Sequence, residues 1–186
     1  RLPAPDPPLV RTVLDAGVRT VLFPRIETPE QLRRGVEAAY FSYDGDTGDR
    51  GVGIARAGEW AGYADDFAAA EDDEILVGTM IENERAVENV EDILAVPRLG
   101  FAFVGPADLA MSMSGGDPTE KSSEAVAAAV DRTREACLAA GVPVGCIRDD
   151  ATEARAAVDA GYRILRIGDD VAAVAEVLGS RLDEIR

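Results

Sequence analysis

Ala157-Val158-Asp159-Ala160-Gly161-Tyr162-Arg163-Ile164-Leu165-Arg166-Ile167-Gly168 is the stretch that decides the fold. An amphipathic helix end meets a glycine, and an apolar run follows. Glycine there suits the left-handed C′ position that ends a helix. The same junction occurs in Val13-Leu14-Asp15-Ala16-Gly17-Val18, which leads into Arg19-Thr20-Val21-Leu22-Phe23-Pro24. It occurs again in Cys137-Leu138-Ala139-Ala140-Gly141-Val142, which leads into Pro143-Val144-Gly145-Cys146-Ile147. Repeated helix-Gly-strand units predict parallel strands joined by crossover helices.

Working outward, strands are expected near residues 18–24, 74–82, 100–105, 142–147 and 162–168. Thr28-Pro29-Glu30-Gln31 offers an N-cap threonine, a proline at the first helical position and a capping-box glutamine, opening a helix that runs to about Tyr40. Further helices are expected over 83–94, 122–140, 151–160 and 171–185. Residues 45–60 are rich in Gly and Asp and read as a functional loop or lid. No linker divides the chain, so residues 1–186 read as one α/β domain. Five strands fit an open doubly wound sheet or most of a TIM (β/α)8 barrel. The barrel is preferred. A whole one takes about 250 residues, so this chain would lack roughly a quarter, its first strands. A first residue of Arg1 rather than Met agrees with that N-terminally incomplete barrel.

Composition narrows the partners. The chain has 35 acidic and 19 basic residues and a formal net charge of −16. Such a surface repels phosphate backbones, which argues against nucleic acid. The acids are spread along the chain, and Lys121 is its lone lysine. That pattern fits solubility at very high salt, where screening removes self-repulsion, and so a halophilic source. No apolar run reaches membrane-spanning length and no signal peptide is visible, so a cytoplasmic protein is expected. Cys137 and Cys146, with no histidine in the chain, exclude a structural zinc site and read as buried reduced thiols.

Two strand ends carry the chemistry. Glu74-Ile75-Leu76-Val77-Gly78-Thr79-Met80-Ile81-Glu82 and Phe101-Ala102-Phe103-Val104-Gly105-Pro106-Ala107-Asp108 each finish on a carboxylate where a helix begins. Active sites of parallel α/β folds lie at that edge. Singly, Glu82 or Asp108 reads equally well as a helix-start acid favoured by the dipole. Together they form a natural pair for a hard divalent cation, with positions left open for water and a 2-oxo acid. Gly105 and Pro106 let the backbone approach a ligand, and the amides beyond them can receive a carboxylate. Glu27 reads first as support for the helix start and second as a site residue. Arg50 is either an anion holder or a staple to an acidic neighbour. Lys121 lies in a polar turn, without the desolvation a Schiff-base lysine needs.

These residues resemble the HpcH/HpaI family of class II, metal-dependent pyruvate aldolases. The resemblance rests on Leu22-Phe23-Pro24-Arg25-Ile26-Glu27-Thr28, Arg50-Gly51-Val52-Gly53, Arg56-Ala57-Gly58-Glu59-Trp60, Met80-Ile81-Glu82 and Phe103-Val104-Gly105-Pro106-Ala107-Asp108-Leu109. It implies a divalent metal, Mg2+ or Mn2+ ahead of Co2+ or Zn2+, held by Glu82 and Asp108. It implies that pyruvate chelates this metal and sets its carboxylate on the amides of Ala107 and Asp108. It implies cleavage of a 2-oxo-4-hydroxy acid, such as a 2-dehydro-3-deoxy acid, to pyruvate and an aldehyde through a metal-bound enolate. Arg1 matches the family's essential arginine, and Asp15 the aspartate that raises the basicity of a catalytic histidine. That histidine is absent here and is expected upstream of Arg1. Met80 stands where the family usually has a substrate-contacting glutamine, and cannot donate that hydrogen bond. A homo-oligomer, a hexamer of dimers exchanging C-terminal helices, is also implied. The alternatives are a relative of the citrate-lyase β subunit or malyl-CoA lyase, disfavoured by so few basic residues for CoA phosphates, and a non-catalytic barrel subunit.

Overall fold

The computed structural model describes residues 1–42, 48–62 and 66–185. Helix α1 (Pro7–Asp15) leads to strand β1 (Thr20–Phe23), and α2 (Pro29–Ala39) and α3 (Phe67–Glu74) lead to β2 (Leu76–Ile81). Then follow α4 (Glu84–Glu88), α5 (Val90–Leu94), β3 (Phe101–Val104), α6 (Pro106–Met113), α7 (Glu124–Ala140), β4 (Val144–Ile147), α8 (Ala151–Asp159), β5 (Ile164–Arg166) and α9 (Asp170–Asp183). All five expected strands are present and every pairing is parallel.

The strand order is β1-β2-β3-β4-β5. An open doubly wound sheet reverses its order at a switch point. These strands do not reverse, so they are wound in one direction, as a half-barrel. Leu2 extends the sheet past β1 through its amide, which donates to the Leu22 carbonyl at 3.0 Å.

Alternation along the strands builds two apolar layers. Val21, Phe23, Val77, Ile81, Val104 and Val144 face the helices and pack among Leu14, Leu32, Ile93 and Val126. Met80, Phe101 and Phe103 face the other way, with Leu22, Ile147 and Ile164 beside them. Two glycines make room for the rings on this concave side. A Cβ on Gly78 would lie 2.2 Å from the Phe101 ring, and one on Gly145 would lie 2.4 Å from the Phe103 ring.

Three expectations need correction. Residues 83–94 form two short helices rather than one, because Asn89 leaves helical geometry and its side-chain amide donates to the Glu27 carbonyl at 2.8 Å. The helix expected from residue 122 starts at Glu124, capped by Ser123, after a 3-10 turn over Pro118–Ser122. The second strand begins at Leu76 because Glu74 closes α3, a helix that the apolar pattern does not announce.

Two buried hydroxyl and thiol groups set an alkaline limit. Burial pushes the Cys137 thiol up to about 12 and the Tyr40 phenol up to about 12. In an unfolded chain a thiol ionises near 8.5 and a phenol near 10. The folded state therefore keeps protons that the unfolded state releases. Their contribution is complete below about pH 8.5 and is lost as pH rises towards 12. The urea midpoint is expected to fall steadily from pH 8.5 to pH 11; a constant midpoint would contradict this assignment.

Candidate active site

Parallel pairing brings the ends of β1, β2 and β3 to one edge. Glu82 directly follows β2 and is only 2% exposed. Its Oε1 accepts the Arg25 amide at 2.7 Å. That amide is aimed by an unusual backbone: Arg25 has φ 55°, in the left-handed region that non-glycine residues seldom occupy. Oε2 of Glu82 is buried and has no hydrogen-bond partner. Burial raises the Glu82 pKa above the usual carboxylate range, opposed by the Arg25 amide; nearby Asp108 raises it further, and the Arg1 and Arg25 guanidiniums pull it back. Gly105, which follows β3, lies against this side chain. A Cβ there would sit 2.8 Å from Glu82 Cβ and 2.9 Å from Oε2.

Gly105 also precedes α6, with Pro106 at its first position and Asp108 in its first turn. The Ala107 and Asp108 amides have no carbonyl within the helix to bond. Asp108 is exposed and borders two cavities. One, of about 360 Å³, is shared with Arg25, Glu27 and Glu82. The other, of about 660 Å³, is shared with Arg1, Met80, Gly105, Pro106 and Ala107. Arg1 crosses this space towards Met80, whose sulfur lies 3.9 Å from Nη1. The edge thus gathers Arg1, Met80, Glu82, Gly105, Pro106, Ala107 and Asp108.

The donor set fits a divalent cation. A buried carboxylate oxygen left without a partner is costly unless something positive meets it. Glu82 Oε2 is such an oxygen, with the second carboxylate of Asp108 close enough to raise its pKa. Among the described residues no group of three or more His, Cys, Asp or Glu side chains converges. Two carboxylates and no nitrogen or sulfur suit Mg2+ or Mn2+, which retain water and substrate as further ligands, better than Zn2+.

Within the chain, Asp15 lies away from this edge. It ends α1, which runs back towards the start of β1. Its carboxylate pairs with Arg50 Nη2 at 3.2 Å, and the same nitrogen lies 3.4 Å from Glu71. Glu71 in turn holds Arg19, which precedes β1. Arg50 is accordingly a buried staple at the amino edge, stacked over Phe41 at 4.6 Å, and not an anion holder of the site.

The loop read as a lid also lies there. The Ala57 amide donates to the Asp15 carbonyl at 3.1 Å, while Trp60 is 70% exposed with φ 57°. Residues 45–47 of that loop are outside the described residues, as is the Lys121 side chain. Glu27 supports the helix start, as expected first. Its amide donates to Gln31 Oε1 at 2.8 Å, and its carboxylate faces Arg85 at 3.5 Å on the smaller cavity. The Arg25 amide and Arg166, which also lines the larger cavity, carry no sequence signal of their own; only register reveals them.

Comparison with known proteins gives this edge a context. The HpcH/HpaI aldolase/citrate lyase family profile matches residues 1–176. The chain belongs to that family. It is 34% identical to a hydroxypyruvate/pyruvate aldolase of Paraburkholderia phytofirmans over 187 residues, covering 100% of this chain and 71% of that protein. It is 32% identical to a 2-keto-3-deoxy-L-rhamnonate aldolase of Klebsiella pneumoniae, covering 94% of this chain and 64% of that protein. A crystal structure of an HpcH/HpaI aldolase/citrate lyase family protein from Burkholderia cenocepacia superposes with a TM-score of 0.90 at 36% identity, over 100% of this chain and 72% of that one. This HpcH/HpaI chain therefore spans only part of the length of its relatives.

Proposed function

We propose that the chain is the greater part of a divalent-metal-dependent aldolase that cleaves a 2-oxo-4-hydroxy acid into pyruvate and an aldehyde. The observation that carries this is the buried, unpartnered Oε2 of Glu82 beside Asp108 at the carboxyl edge. Glu82 and Asp108 would hold the cation, Mg2+ or Mn2+, which supplies Lewis-acid stabilisation of charge on the substrate carbonyl oxygen. The relatives' names support the reaction class.

The chain's own groups divide the remaining work. The Ala107 and Asp108 amides, at a helix start, receive the substrate carboxylate. Arg1 places its guanidinium against the C2 oxygen and neutralises charge that gathers there as the C3–C4 bond breaks. The electrons of that bond move onto the C2 oxygen, and the 4-hydroxyl gives up its proton as the aldehyde forms. C3 then takes a proton to give pyruvate. The five strands belong to a (β/α)8 barrel of which these residues are one domain. α9 buries none of its residues and exposes Val171, Val174, Leu178 and Leu182, an apolar side through which copies would associate as a hexamer. None of the helices is long and apolar enough to cross a membrane among the described residues; a cytoplasmic, halophilic setting completes the reading.

Chelation tests it. Pyruvate release from a 4-hydroxy-2-oxo acid should vanish with excess EDTA and return with Mn2+. Release that survives complete chelation overturns the proposal, as does a chain that binds no Mn2+.

A further inference from the structure

Two locally unfavourable features meet at the turn that follows β1. Arg25 holds φ 55°, a left-handed conformation that costs a residue with a side chain and persists only where the surroundings enforce it. Asn89, half-buried, interrupts the helical run between α4 and α5 at φ −96° and ψ 14°, and its side chain caps neither helix. Asparagine is also a poorer helix former than alanine. Local rules of this kind are broken where function asks for it. Both features end on one short segment. The Arg25 amide donates to Glu82 Oε1 at 2.7 Å, and the Asn89 side-chain amide donates to the Glu27 carbonyl at 2.8 Å.

Glu27 is gripped through its main chain. Its amide donates to Gln31 Oε1 of α2 at 2.8 Å, and its carbonyl takes the Asn89 amide from the α4–α5 junction. Ile26, only 1% exposed, seats the middle of the turn in the core. The Arg85–Glu27 ion pair, at 3.5 Å between exposed side chains, adds little. Asn89 therefore carries the tie between this junction and the turn.

We propose that Asn89 is a positioning residue for the cation site, acting on Glu82 through the strained turn at Arg25. It fixes the Glu27 carbonyl, and the fixed turn keeps Arg25 left-handed. The Arg25 amide then holds Oε1 of Glu82, which leaves the unpartnered Oε2 in place to meet the cation. The inference rests on the aldolase reading, because that reading gives Glu82 its ion. Groups that orient metal ligands carry about 10- to 100-fold in affinity. Asn89 acts one link further out, so its effect belongs at the lower end.

The test is calorimetric titration of the full chain with Mn2+, paired with melting in EDTA. Asn89→Ala is expected to weaken Mn2+ binding about tenfold. Its melting temperature in EDTA should stay level or rise, since alanine favours the helix. Amide hydrogen exchange over residues 24–28 should quicken in the metal-free variant, while that of β2 and β3 is unchanged. Arg25→Asn keeps the amide and tolerates the left-handed turn, and should bind Mn2+ as the wild type does. Unchanged affinity in Asn89→Ala overturns the positioning role alone and leaves the aldolase reading standing. Weaker binding together with a lower melting temperature in EDTA overturns it too, because Asn89 then supports the fold. Tenfold weaker binding by Arg25→Asn overturns the route, because the guanidinium and not the amide then carries the effect. If the wild type binds no Mn2+, the aldolase reading fails and the inference fails with it.

Discussion

Glu82→Gln is expected to weaken Mn2+ binding by more than about 100-fold and to raise the thermal stability of the metal-free protein. Even residues that merely support metal ligands cost 10- to 100-fold on substitution, and a direct ligand should cost more. The second effect has the opposite sign, and it separates two readings of the residue. As a helix-start acid, Glu82 would stabilise the fold, and glutamine would lower the melting temperature. As a ligand without its ion, it is a buried carboxylate whose charged form is disfavoured by burial and by Asp108. Glutamine keeps an oxygen for the Arg25 amide and presents an NH2 group where Oε2 now has no partner. Differential scanning fluorimetry in EDTA reads the difference. A lower melting temperature in the variant would make Glu82 a structural acid and remove the foundation of the proposed enzyme.

Most of the architecture was legible because the helix-Gly-strand junction leaves a local mark. A left-handed glycine between an amphipathic end and an apolar run is recognisable without knowing what it packs against, as at Gly17, Gly141 and Gly161, all with positive φ. The edge position of the two carboxylates was legible for a similar reason: Glu82 directly follows the strand end Ile81, and Asp108 lies in the helix turn that opens just past Val104. What escaped was burial satisfied by charge. α3 buries Glu71 and Asp72 against Arg19, Arg50 and Arg98, so its inward side carries acids and an apolar pattern cannot find it. Asn89 likewise breaks its helix through a bond to a residue far away in sequence, Glu27.

The place of Asp15 follows from chain direction. In alternating parallel folds a helix runs opposite to its strands. An acid at a helix C-terminus therefore lies at the amino edge, and an acid after a strand lies at the carboxyl edge. Asp15 belongs to the first group and Glu82 to the second. Sequence neighbourhood to a glycine does not distinguish them; chain direction does. Arg166 is reached differently, through its register opposite Ile147 on β4.

Gly105→Ala is expected to disable the site without touching either proposed ligand. Gly105 has φ −105° and ψ 86°, a backbone open to alanine, so any effect must come from the added methyl group. That methyl group would lie 2.8 Å from Glu82 Cβ, 2.9 Å from Oε2 and 3.1 Å from Met80 Cε. The methionine end can swing aside, but Glu82 is pinned by the Arg25 amide and only 2% exposed. Relief must come from moving the carboxylate away from Asp108 or from parting β2 and β3. Overpacking of this kind costs about 1–3 kcal/mol, and a displaced ligand costs about 10- to 100-fold in metal affinity. Gly51→Ala is the matched control, since nothing lies within 4 Å of the added atom. Mn2+ titration and urea unfolding of the two variants side by side measure both effects. Unchanged metal affinity in Gly105→Ala would mean that the close contact between these strand ends does not position the ion, and that Glu82 is free to meet it from another rotamer.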